Sequence, residues 1–96
     1  MDDDLDAQAM WRSVLAMVIA RKGQPDEAVR LALEAVELRR RSDAIVYLAD
    51  TLTDFSEVLR FTGRDDEVRA VRNEALRLYV RKGDIVSAGR LRTLLS

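Results

Sequence analysis

The segment RKGQPDEA at residues 21–28 returns in altered form as RFTGRDDEV at 60–68 and RKGDIVSA at 81–88. Each copy sets a glycine four or five residues before a small apolar residue, with charge around the turn. Glycine adopts the left-handed backbone that commonly ends a helix. With Pro25 the only proline, the chain between these turns carries little that would break a helix. Gly23, Gly63 and Gly83 lie forty and then twenty residues apart. That spacing predicts helical hairpins stacked in series, with Gly23 and Gly63 in the same place in two of them and Gly83 leading into a closing helix.

Periodicity supports this division. From about 5 to 22, Ala7, Trp11, Val14, Leu15, Val18 and Ile19 recur at spacings of three and four. Pro25, Asp26 and Glu27 suit the first turn of a second helix, about 25–41, which closes on Arg39, Arg40 and Arg41. Ser42 is a natural cap for a third, about 43–62, carrying Ile45, Leu48, Leu52, Phe55, Val58 and Leu59. Asp65, Asp66 and Glu67 open a fourth, about 64–82, and Asp84 caps a fifth, about 84–95. No segment alternates with period two. The expected fold is all-α: antiparallel hairpins over residues 1–96 as a single domain, with 1–4 either starting the first helix or disordered. Most of the five aromatics read as core, with Trp11 and Phe61 left open as interface anchors.

Composition narrows the chemistry. Histidine and cysteine are both absent, which removes the usual general base, the thiolate nucleophile and the commonest metal ligands. Ser13, Ser42, Ser56, Ser87 and Ser96 therefore have no imidazole to activate them, and no phosphate-cradling glycine loop occurs. Asp50, Asp54 and Glu57, at i, i+4 and i+7, could converge on a cation, but read better as a solvated face paired with Arg60 and arginines of a neighbouring helix. Arg39, Arg40 and Arg41, with Arg90 and Arg92, could meet phosphate, yet Glu34, Glu37 and Asp43 lie close in sequence to answer the triplet. The net charge of −1 gives no field toward nucleic acid or an anionic membrane. The longest apolar run, 14–20, is far short of the roughly 20 residues of a membrane span. The acidic start is no secretory signal, so the expectation is a cytoplasmic, non-catalytic protein without cofactor, metal or small-molecule substrate.

The glycine turn followed by Ala28 and, seven residues on, Ala35 resembles the tetratricopeptide repeat. Leu15 and Ala16 then fall on its large/small pair and Ile19 on its next large position; Gly63 likewise places Phe55, Ser56, Leu59 and Ala75. The repeat departs in length, forty rather than thirty-four, in Val68 for the first alanine, in a tryptophan one residue early, and in lacking the terminal proline. A narrower resemblance, through DDLDAQAMWRSVLAMVIARKGQPDEA, DAIVYLADTLTDFSEVLRFTGRDDEV and EALRLYVRKGDIVSAGRLRTLL, is to the C-terminal helical region of large actinobacterial proteins. Those carry a cyclase-type or signalling ATPase module upstream. It implies a regulatory or scaffolding tail, excised or free-standing, whose native chain continues N-terminally of Met1.

The repeat register implies a concave face for a peptide or partner protein, formed by Met10, Ser13, Met17, Ala20 and Arg21 with Asp50, Thr53, Glu57, Arg60 and Phe61. The first helix is apolar around much of its circumference and needs cover on several sides. Trp11, Val14 and Val18 are therefore expected to meet either a preceding repeat or a second copy in a homodimer.

Overall fold

The computed structural model describes residues 2–96, with side chains from Asp4 onward; Met1, part of the predicted 1–4 lead-in, lies outside them. Five helices occupy this span: α1 (Asp2–Arg21), α2 (Pro25–Arg40), α3 (Ile45–Phe61), α4 (Asp65–Lys82) and α5 (Ile85–Leu95). All described elements are α-helical, as the sequence pattern predicts. α1 pairs with α2 and α3 with α4 as antiparallel hairpins; α2 and α1 both touch α3, and α5 rests on α4. The Cα extents are 38 × 35 × 16 Å. The shortest is what two helix layers require at an axial separation of about 8–10 Å.

The three glycine turns are one motif used three times. Gly23, Gly63 and Gly83 have φ of 79, 80 and 81°. After α1, the Gln24 N–H donates to the Ile19 carbonyl and the Gly23 N–H to that of Ala20. Arg64 and Gly63 repeat this on Leu59 and Arg60, and Asp84 and Gly83 on Tyr79 and Val80. This paired closure satisfies carbonyls that a helix end otherwise leaves orphaned.

The α2–α3 connection works differently, and here the expected start of the third helix is corrected from Asp43 to Ile45. Ser42 accepts the Ala44 N–H at 3.1 Å through its hydroxyl, holding 42–44 as a side-chain turn outside the helix. Asp84 does cap α5, accepting the Ser87 N–H at 3.1 Å.

Small residues make the crossings. Ala16, Ala28, Ala35 and Ala75 are each 0 % exposed, and so is Ser56. Around them lie two apolar clusters, one built on Ala16, Ala28, Leu31 and Val58, the other on Val36, Leu52, Tyr79 and Leu91. The sequence stripe on α1 is helical, but its larger members face outward. The buried line is Ala9, Ala16 and Ala20, whereas Ala7, Trp11, Val14, Leu15 and Val18 are exposed. The expectation that most aromatics are core is also corrected. Tyr79 is buried and Phe55 partly so, but Trp11, Tyr47 and Phe61 are exposed, with arginine guanidinium groups of Arg12, Arg39 and Arg60 over their rings.

A Cβ added at Gly23, Gly63 or Gly89 would meet no atom within 4 Å, so backbone conformation alone sets the effect of substitution. Gly23→Ala or Gly63→Ala should cost about 1–2 kcal/mol for the left-handed conformation. Gly89→Ala, inside α5, should gain about 1 kcal/mol of helix propensity. Thermal denaturation separates them, at about 4–8 °C of Tm per kcal/mol for a chain of this size; shifts of the same sign at Gly63 and Gly89 would refute the assignment.

Candidate interaction face

α1, α3 and α5 share one side of the molecule, and two open cavities lie between them. The first, of about 330 Å³, separates α1 from α3 and is lined by Met10, Ser13 and Val14 on one wall and Tyr47, Asp50 and Asp54 on the other. The second, of about 270 Å³, separates α3 from α5, with Asp50, Thr53 and Asp54 facing Ser87, Arg90 and Leu94. Asp50 and Asp54 are one helical turn apart and line both. The two cavities thus form a single groove with a carboxylate ridge along its middle.

Arg39 and Arg90 line the groove, but neither pairs with the ridge. Of the ion pairs among the described residues, none uses Asp50 or Asp54. Asp50 instead accepts a hydrogen bond from the Tyr79 hydroxyl, and Asp54 one from Ser13 at 3.2 Å. Loss of hydration in the groove pushes the Asp54 carboxyl above its ordinary range; the Ser13 hydrogen bond opposes this, while the charges of Asp50 and Glu57 add to it. Burial and the Asp50 hydrogen bond likewise raise the Tyr79 phenol, keeping it a neutral donor.

Glu57, one turn beyond, has the opposite environment. Arg60 pairs with it at 2.9 Å and Arg72 reaches it from α4 at 2.6 Å. The Arg60 hydrogen bond, then Arg72, holds its carboxyl below the usual range. Arg72 is itself buried and also donates to the Ser56 hydroxyl at 3.2 Å. The acidic triplet therefore does not converge: Glu57 turns toward Arg72 while Asp50 and Asp54 line the groove.

The arginine run is similarly dispersed, with partners other than those expected. Glu34 is taken by Arg12 and Arg30. Arg39 instead reaches back to Asp6, its guanidinium 5.3 Å from the Tyr47 ring, and Arg40 forks onto Glu74 at 2.6 and 2.9 Å. The Arg39 side chain is buried and its Nε has no partner. Arg39 and Tyr79 stand forty residues apart, at the same point of α2 and α4, and each latches its helix to the groove-side layer.

Of the expected face, Met10, Ser13, Asp50 and Thr53 line the groove. Met17 is partly buried against the Ala16 cluster. Arg21 and Phe61 meet at the glycine-turn end, guanidinium 5.6 Å from the ring, with Arg60 on the same ring at 4.9 Å. Val14, expected at a dimer contact, also lines the first cavity, while Trp11 and Val18 stand exposed outside it. Asp54, Tyr47, Arg90 and Leu94 were not anticipated as groove residues; the i, i+4 spacing of Asp50 and Asp54 was the available signal for the first.

The tetratricopeptide repeat family model matches residues 6–79. The chain belongs to that family. Neither the curated proteins nor the solved structures contain a match to it. Tetratricopeptide repeats are protein-interaction modules, and here the match covers most of both hairpins. Among the described residues no helix is long and apolar enough to cross a membrane.

Asp54 and Glu57 should respond oppositely to pH. A carboxyl whose folded pKa is raised penalises the fold above that pKa, and the penalty disappears as pH falls below the unfolded value of about 3.9. Asp54→Asn should therefore raise Tm at pH 7 and lose that advantage in acid. A lowered pKa stabilises above the unfolded value and is lost as pH falls through the folded one. Glu57→Gln should accordingly cost about 1–2 kcal/mol at pH 7, with the gap closing in acid. Denaturation midpoints of both variants between neutral and acid pH check this; a destabilised Asp54→Asn at pH 7 would contradict it.

Proposed function

We propose that this tetratricopeptide domain is a non-catalytic cytoplasmic scaffold that holds an extended or helical peptide segment across α1, α3 and α5. The segment it fits carries a lysine or arginine beside an apolar anchor. The observation that carries this reading is the Asp50–Asp54 ridge, which enters no ion pair among the described residues yet lines both halves of the groove. A cation seated there would offset the desolvation, and the lesser repulsion from Asp50 and Glu57, that raise Asp54. Exposed Met10, Val14 and Leu94 offer adaptable apolar contact on either side. Flexible thioether and aliphatic walls around a fixed charge suit a short linear motif, with main-chain groups and one or two anchors supplying affinity.

A second reading, self-association as the oligomerisation tail of a larger bacterial signalling protein, is supported by the uncovered apolar side of α1.

A panel of fluorescent peptides with basic–apolar or acidic–apolar cores tests the groove by anisotropy. Basic peptides should bind preferentially and weaken with added salt. Asp50→Asn and Asp54→Asn should each lower affinity about tenfold, the scale of one charged hydrogen bond. Arg60→Ala, whose partner is already Glu57, should change it far less. Equal binding of both peptide classes, or an unaltered affinity in Asp54→Asn, would end this reading.

A further inference from the structure

We infer that a second copy of this chain covers the outer side of α1 through an antiparallel α1–α1 pairing in one defined register. The inference deepens the self-association reading and shares Val14 with the groove wall. Asp4, Ala7, Trp11, Val14, Val18 and Arg21 are all exposed. Their spacings of three, four, three, four and three are those of a two-helix seam. At 100° per residue the centre of this line lies about 170° around the helix from Ala9, Ala16 and Ala20. Val14 and Arg21 stand at its α3-side edge, where Val14 also lines the first cavity and Arg21 approaches Phe61.

Size and charge along the seam select its partner. Place two such helices antiparallel, with a twofold axis between Trp11 and Val14. Asp4 then faces Arg21 of the second copy, Ala7 faces Val18, and Trp11 faces Val14, each twice over. A small residue meets a branched one, the largest meets a medium one, and the end charges are opposite. The parallel alternative would set Asp4 against Asp4, Arg21 against Arg21 and Trp11 against Trp11. Sliding the antiparallel pair by one heptad would set Asp4 against Val14 in one direction and Arg21 against Trp11 in the other, and neither keeps the Asp4–Arg21 pairing. Self-complementarity about a twofold is what a closed dimer requires. The contact is one helix wide, well below a standard interface, so its dissociation constant should lie in the micromolar range, about 10–100 µM.

Sedimentation equilibrium across that range reads the association directly. Trp11, the sole tryptophan, lies on the seam, so its emission should shift to shorter wavelength as concentration rises. Arg21→Asp should weaken the dimer about tenfold, and adding Asp4→Arg in the same chain should restore it. The chain has no cysteine. An equimolar mixture of Ala7→Cys and Val18→Cys proteins should therefore cross-link under mild oxidation, whereas either protein alone should not. A monomer throughout, with unchanged emission, would defeat both self-association and this register. Cross-linking of Ala7→Cys with itself, or failure of the double charge reversal to restore association, would defeat the register alone.

Discussion

Every larger feature of this domain depends on helix axes that approach closely where side chains are reduced almost to nothing. Ala16, Ala28, Ala35 and Ala75 leave the backbones of paired helices as near neighbours, and a bulkier residue at such a crossing costs about 1–3 kcal/mol in strain. Ser56 is the informative exception. It stands forty residues after Ala16 and is equally inaccessible, but it carries a hydroxyl that must be satisfied. It donates to the Thr53 carbonyl at 2.7 Å and accepts from Arg72. The second hairpin thereby gains a buried guanidinium strut where the first, with Ala16 and Ala32 at the matching positions, has only methyl groups.

That spacing also determines where charge resides. Most ion pairs lie on exposed helix surfaces, Glu27 with Arg30 and Arg64 with Glu67 among them, and such solvent-screened pairs contribute little to stability. They keep the outside hydrated more than they hold it together. The groove behaves differently, because its walls remove water from Asp54 while Arg39 and Arg90, which also line it, form no ion pair with that carboxylate. A carboxylate held at some cost to the fold, as Asp54 is, is a common mark of a surface shaped for a ligand, and it motivates the assignment of a basic partner.

Helix limits were legible because their determinants are local. A glycine in the left-handed region, acidic first turns and basic last turns all act within a few residues of the chain. The orientation of α1 was not legible in the same way. Apolar periodicity marks Trp11, Val14 and Val18 as readily as a core stripe, yet the helix buries its alanines, since only they fit the close crossings. Partners of charged residues were the least readable. Arg39 bypasses nearby Asp43 for Asp6, and Arg40 passes over Glu37 for Glu74, because hairpin stacking brings distant carboxylates closer than sequence neighbours. Asp54 was visible as one of an acidic triplet, but only its placement between α1 and α5 separates it from Glu57.

Arg39 and Tyr79 hold one position in successive hairpins with unlike chemistry, an ionic hold on Asp6 and a phenolic hold on Asp50. Repeats that look alike in outline are thereby keyed to different neighbours. A helix paired with the wrong neighbour, α2 with α3 or α4 with α1, would leave a guanidinium without its carboxylate, or a phenol without its acceptor, in a place water cannot easily reach. The penalty falls on mispaired helices and spares the native α1–α2 and α3–α4 pairings, so a chain made of near-duplicates still closes each hairpin on its own partner.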